Sequence, residues 1–201
     1  VSQNKKEFFQ LVFDKTPFYP EGGGQVGDNG FISRNDEKIE IFNTKKENNL
    51  IIHLTEKLPT SIDSTFDAKI NVSNRINTAK NHSATHLLHE ALRSVLGDHV
   101  EQKGSLVNSS YLRFDFSHFS KVTDEELKQI EDLVNQEIQA KIALNEKRNA
   151  PIEEAKAMGA KALFGEKYGD DVRVIQFGNS IELCGGCHVS NTSDISVFKI
   201  T

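Results

Sequence analysis

Both cysteines of this 201-residue chain fall in a single pentapeptide, Cys184-Gly185-Gly186-Cys187-His188. That placement constrains the fold more than any other feature. Two cysteines so close together cannot form the disulfide framework that staples a secreted domain, so the chain reads as intracellular and cytoplasmic. With 37% hydrophobic and 26% charged residues, it has the composition of a globular protein with a real core. No apolar run approaches the ~20 residues of a membrane helix, and no signal peptide is evident. The only methionine is Met158 and the chain starts at Val1, which suggests a segment of a longer polypeptide. The net charge of −5 argues against broad binding to duplex nucleic acid, while leaving room for a local basic patch.

Residues 1–73 read as a glycine-rich β subdomain. Phe8 to Phe13 is an aromatic and aliphatic run suited to a strand, and Lys38 to Phe42 and Asn49 to Leu54 are two more. Between them Gly22-Gly23-Gly24-Gln25-Val26-Gly27-Asp28-Asn29-Gly30 holds five of the 13 glycines. Short strands at this spacing predict a small barrel or sandwich. From about Asn74 the period becomes helical: Ala84, Leu88, Ala91, Leu92 and Val95 form an apolar stripe, with Gly97 as the stop. Tyr111 to Phe116 alternates as a strand, with Leu112, Phe114 and Phe116 inward and Arg113 and Asp115 outward. Thr123-Asp124-Glu125-Glu126 is a capping box opening a long amphipathic helix. Pro151 opens a shorter helix ending near Gly159. From Val172 onward, strands are expected on both sides of the cysteine turn. The expected fold class is α+β: a small β-barrel-like subdomain, then residues 74–201 with helices packed on an antiparallel sheet.

His82 and His86 are four residues apart and share one helix face. His89 and Arg93 continue that stripe, roughly opposite the apolar one, so these histidines are not placed as core fillers. Two imidazoles at this spacing can grip one metal ion. Cys184 and His188 offer a second pair from a turn that Gly185 and Gly186 allow to tighten. Together they complete a tetrahedral zinc set. A lone His pair is more often a polar helix face, and a lone Cys-Gly-Gly-Cys-His turn can be a redox pair; the combination favours Zn2+. Cys187 competes with Cys184 as the sulfur ligand. Residue 83 is Ser, so the Glu of the zinc-protease helix motif is absent. The glycine-rich loop lacks the Lys-Ser/Thr ending of a P-loop, and no nucleotide site is expected there.

Asn81-His82-Ser83-Ala84-Thr85-His86-Leu87-Leu88 resembles the metal-binding helix of alanyl-tRNA synthetase editing domains. So do Gln102 to Val107 followed by Leu112 to Phe116, and the glycine-rich run Thr16 to Asp28. Ala162 to Gly169 and Glu182 to His188 complete a match that runs in order through the chain. The same editing fold occurs in freestanding alanyl-tRNA trans-editing proteins, and a related zinc domain in threonyl-tRNA synthetase.

The resemblance implies a deacylase that hydrolyses the ester of alanine-specific tRNA mischarged with serine or glycine. Such a site has a physical rationale, because a pocket sized for alanine cannot strongly exclude either amino acid. The resemblance also implies that His82, His86, Cys184 and His188 are the zinc ligands. By it, Gln102 positions water or substrate, Thr16 contacts the serine hydroxyl and Gln25 lines the pocket. The family frequently has threonine where Cys187 stands. The partner implied is the acceptor end of tRNA(Ala), with Lys80, Arg93 and Lys103 as candidate phosphate contacts. ATP binding and aminoacylation would belong to other domains of a parent chain, and no membrane partner is expected. A freestanding trans-editing deacylase, a non-catalytic tRNA-binding zinc module and a hydrolase of small esters are the competing readings.

Overall fold

Six short strands precede the first helix. A computed structural model of the chain describes residues 7–162 and 169–201. The resemblance drawn on 162–169 therefore lies, from Leu163 to Tyr168, outside the described residues. The strands are β1 (Phe9–Val12), β2 (Gly30–Arg34), β3 (Glu37–Ile41), β4 (Asn43–Glu47), β5 (Leu50–Thr55) and β6 (Asp67–Ile70). Then come α1 (Val72–Leu96), β7 (Gln102–Val107), β8 (Leu112–Phe116), α2 (Asp124–Gln139), β9 (Asn145–Pro151), α3 (Ile152–Ala157), β10 (Asp171–Phe177) and β11 (Ser180–Leu183). The expected α+β class is observed. The chain divides into two units, one of Val1–Gly22 with Val26–Arg75, the other of Gly23–Gln25 with Ile76–Thr201.

In the first unit the strands form two separate antiparallel sheets, ordered β1-β5-β4 and β3-β2-β6. The small barrel is thus not a closed one among the described residues. Phe18, Ile32, Ile39 and Ile41 are its buried apolar centre. Gly27 is fixed by crowding, because a Cβ there would strike the Thr44 carbonyl. Asp28 is buried, accepts the Tyr19 N–H at 2.7 Å and is ion-paired with Arg75.

In the second unit, α1, α2 and the β11-β10-β9 sheet enclose one core that includes Leu88, Leu92, Ile130, Val134, Ile175 and Phe177. The capping box forms as expected, with the Glu126 N–H donated to Thr123 Oγ1 and the Thr123 N–H to Glu126 Oε2. Arg113 and Asp115 are exposed and pair with each other along β8, while Leu112, Phe114 and Phe116 pack against the core.

The histidine stripe of α1 is buried rather than solvated: His82, His86 and His89 are as buried as Leu87 and Leu88. One expectation needs correction: the cysteine turn is not flanked by strands on both sides. Among the described residues β10 and β11 both precede it, and a 3-10 turn, Thr192–Ile195, follows.

Candidate metal centre

The ligand atoms of His82, His86, Cys184 and His188 all lie within 4.8 Å of one another. Two are set by one helix turn of α1, and two by the loop leaving β11. Cys184 Sγ is 3.4 Å from His82 Nε2 and 3.3 Å from His188 Nε2. Zinc bonds of ~2.3 Å to sulfur and ~2.0 Å to nitrogen give a tetrahedral S···N edge of about 3.5 Å. The observed spacing therefore fits that ion. Cys187 is outside the group; its backbone N–H is donated to Gln25 Oε1 at 2.8 Å.

Hydrogen bonds to the far ring nitrogens orient the ligands. Gln25 is buried and belongs to the second unit. Its Oε1 accepts the His82 Nδ1 proton at 2.7 Å, which leaves His82 Nε2 bare toward Cys184. Ser83 Oγ sits 3.1 Å from His188 Nδ1 and does the same for that ring, while accepting the Val189 N–H at 3.1 Å. His86 Nε2 is 3.4 Å from Glu182 Oε2, and its buried Nδ1 has no hydrogen-bond partner among the described residues. An orphaned buried imidazole nitrogen inside a Cys/His cluster is what a removed ligand-metal bond leaves behind.

Burial holds His82 and His188 well below the usual histidine pKa, reinforced by neighbouring imidazoles and Arg173. Burial lowers His86 too, against the opposing pull of Glu182. All three rings are thus neutral near pH 7, the form a metal requires.

The glycines of the turn differ. A Cβ on Gly186 would collide with the His82 ring and reach Gln25 Oε1 at 3.0 Å, whereas one on Gly185 would meet nothing within 4 Å. Only Gly186 is demanded by close approach. Arg173, at a register shift where β10 meets β9, fixes the same turn. Its Nη1 donates to the carbonyls of Cys184 and Gly186, and its Nε to Glu146 Oε1.

Arg173, Ser83 and Glu182 were not singled out from sequence. The one signal for Glu182 is a lone acid inside the apolar strand Ile181-Glu182-Leu183. It is 2% exposed. Burial would raise its pKa, but His86 and His89 with Lys161 bring it below the usual carboxylate value.

Gln102 opens β7 at another register shift, between Gln102 and Gly104, and its Nε2 donates to Ser105 Oγ at 3.3 Å. It lines a cavity of about 270 Å³ with His89, Arg93, Val100, Glu101, Lys161 and Ala162. His89 Nδ1 is 2.9 Å from Glu182 Oε1, so this cavity and the His/Cys group share one carboxylate. A larger cavity of about 550 Å³, with Leu88, Tyr111, Phe114 and Phe198 among its walls, is lined by Lys80 of the expected phosphate contacts but by none of the expected metal ligands and by none of Gln102, Thr16 and Gln25. Of the expected phosphate contacts, Arg93 is tied to Asp98 and the Val100 carbonyl and Lys103 to Glu101.

Thr16 lies in the first unit. Its hydroxyl proton goes to His53 Nε2 at 2.7 Å, because His53 Nδ1 donates to the Leu11 carbonyl at 3.1 Å. Thr16 Oγ1 also accepts the Phe18 N–H. What it can offer a ligand is one acceptor lone pair.

Sequence comparison supplies the class of protein. Residues 1–78 match the family described as tRNA synthetases class II (A). Residues 172–201, which carry β10, β11 and the cysteine turn, match the threonyl and alanyl tRNA synthetase second additional domain. Within that class the similarity is specific. The chain is 61% identical over 201 residues to the alanine–tRNA ligase of Christiangramia forsetii. It is 62% identical over 203 residues to that of Cytophaga hutchinsonii and 59% identical over 200 residues to that of Parabacteroides distasonis. Each match covers 100% of this chain and 23% of the relative. The chain is similar along its whole length to these alanine–tRNA ligases and spans 23% of their length.

Proposed function

We propose that this chain is the editing segment of an alanine–tRNA ligase, hydrolysing the ester of Ser-tRNA(Ala) or Gly-tRNA(Ala). The observation that carries the reading is the convergence of His82, His86, Cys184 and His188, joined through Glu182 to the cavity that Gln102 lines. On this reading residues 74–201 form the hydrolytic core and 1–73 a glycine-rich subdomain. The acceptor end of tRNA(Ala) is the partner, and aminoacylation with its ATP belongs to the remainder of the parent chain.

The four side chains would hold Zn2+, which when bound supplies a Lewis acid able to lower the pKa of water or polarise a carbonyl. Four protein ligands fill a tetrahedral shell, so the protein's own groups carry the positioning. Gln102 spends an amide proton on Ser105, leaving its carbonyl oxygen to accept a proton from water or from the aminoacyl ammonium. Gln25 acts behind the ligands by fixing the His82 ring. Thr16 presents an acceptor suited to a serine hydroxyl. The filled shell also favours a second reading, a structural zinc in a non-catalytic tRNA-binding module.

Metal analysis combined with seryl-tRNA deacylation separates the two. Stoichiometric zinc with hydrolysis of seryl-tRNA and sparing of alanyl-tRNA is expected; tight tRNA binding without hydrolysis would select the second reading. Gln102→Ala is expected to lower the deacylation rate at least tenfold with zinc retained. A normal rate would remove Gln102 from the mechanism.

A further inference from the structure

Strand β8 is the open edge of a two-stranded sheet. One hydrogen bond fixes which way its main chain points. Val107 stands opposite Leu112, yet the Val107 N–H is donated away from β8, to the Gly24 carbonyl at 2.8 Å. Val107 and Leu112 are therefore an antiparallel pair whose members do not bond each other. By alternation, the N–H and C=O groups of Leu112, Phe114 and Phe116 point away from β7, and those of Arg113 and Asp115 point toward it. Ser117 agrees with this parity, because its N–H reaches the Glu101 carbonyl on the β7 side. No described residue bonds the outward main-chain groups of Leu112, Phe114 or Phe116. The far edge of β7, by contrast, is met by Gly24 and by the Val107 bridge to Gln25. The β8 edge opens on the cavity of about 550 Å³, which Leu112, Arg113, Phe114 and Phe116 line.

Open edges are commonly guarded by lysine or proline, and β8, Leu112-Arg113-Phe114-Asp115-Phe116, has neither. Its sequence is instead complementary to its own reverse. Set antiparallel to a second copy with Phe114 facing Phe114, Leu112 meets Phe116 and Arg113 meets Asp115. Every outward main-chain group then exchanges a hydrogen bond. Apolar side chains meet on one face, and opposite charges meet on the other in the closer, non-bonded pairs. A slip of two residues, the smallest that keeps the hydrogen-bond parity, sets Arg113 against Arg113 or Asp115 against Asp115. The charges of the strand therefore select one register.

We propose that β8 is a self-pairing surface, at which two copies of this chain dock edge to edge about a two-fold axis at Phe114. The β7-β8 sheets of the two copies join into one continuous antiparallel sheet, an isologous contact. The exposed Arg113–Asp115 pair within each chain gains an opposite charge across the axis. The proposal rests on the strand and its register and is independent of the deacylase reading.

The test is sedimentation of the wild-type chain over a concentration series up to about 1 mM, where weak association still registers, with amide exchange followed in parallel. A reversible monomer–dimer equilibrium is expected. The amides of Leu112, Phe114 and Phe116 should gain protection as the dimer fills, while those of Arg113 and Asp115 are protected at every concentration. Arg113→Glu sets like charges against Asp115 of the second copy, and Asp115→Arg sets them against Arg113. Each variant is expected to weaken the dimer about tenfold or more, with the melting temperature retained. Mixing the two variants places opposite charges across the axis again and is expected to restore association, as is the double variant Arg113→Glu/Asp115→Arg. A purely structural role for either residue predicts no such mutual rescue. A monomer throughout, a dimer indifferent to both variants, or no rescue on mixing would each overturn the proposal. So would protection of Leu112, Phe114 and Phe116 that does not depend on concentration, since the edge would then be covered from within the chain. Should a variant fail to fold, the wild-type exchange pattern decides.

Discussion

Gly185 and Gly186 are chemically identical and adjacent, yet the structure gives them different duties. The His82 ring occupies the space where a Gly186 side chain would project, and Gly185 faces open space. Gly186→Ala must displace either His82 or the turn, an overpacking cost of ~1–3 kcal/mol. It is expected to weaken zinc at least tenfold in a chelator competition. Gly185→Ala should stay within about 0.5 kcal/mol of wild type, as surface substitutions do. Equal effects from the two would refute this division of roles. Glu182→Gln keeps the shape but removes the charge beside His86; outer partners of metal ligands typically control 10–100-fold in affinity. A loss in that range is expected, again by chelator competition. The candidate ligands could be read from sequence because helical period and cysteine scarcity are local facts. Gln25, Ser83, Glu182 and Arg173 act across 57 to 105 positions, or through a strand irregularity. No spacing rule reports contacts of that kind.

Among the elements, α2 could be read almost completely from sequence, since its start is written in Thr123 and Glu126 and its inner face in Ile130, Val134 and Ile138. The cap is exposed, so Thr123→Ala removes a hydrogen bond without opening a cavity. About 1 kcal/mol is expected, seen as a melting temperature lowered by ~2–4 °C, with metal binding unchanged. An unshifted melting curve would mean that α2 is held by its packing alone. Strand β9, Asn145–Pro151, could not be read. Its sequence is polar and largely exposed because it is the edge of its sheet, and its strand character is supplied by β10. The segment after the cysteine turn failed in the opposite sense. Its apolar residues suggest a strand, but Asn191 caps a 3-10 turn by accepting the Ser193 N–H. Thr192 then spends its hydroxyl on the Glu137 carbonyl and the Ile142 N–H, so side chains outcompete a ladder.

At the scale of the molecule, each unit carries buried neutral histidine, and acid should act on both. Burial lowers the pKa of His53 in the first unit and of His82, His86 and His188 in the second. The unfolded chain takes up these protons near the ordinary histidine value of 6.5; the folded chain resists until lower pH. Between those two values the unfolded state binds more protons, so stability falls as pH falls, by up to about 1.4 kcal/mol per pH unit for each such group. Above that window these groups contribute no slope. A metal ion held by three of the four histidines competes with their protons, and His53 has no such protection. Zinc-loaded protein taken from pH 7.5 to 5.5 should therefore lose amide-exchange protection first in β1 and β5, with α1 protected until the metal leaves. Chelation at pH 7.5 should reverse the order, exposing α1 and the cysteine turn while β1 and β5 keep their protection. Loss of protection in both units together, under acid and under chelator alike, would show that the two unfold as one cooperative body and that the metal stabilises the whole chain.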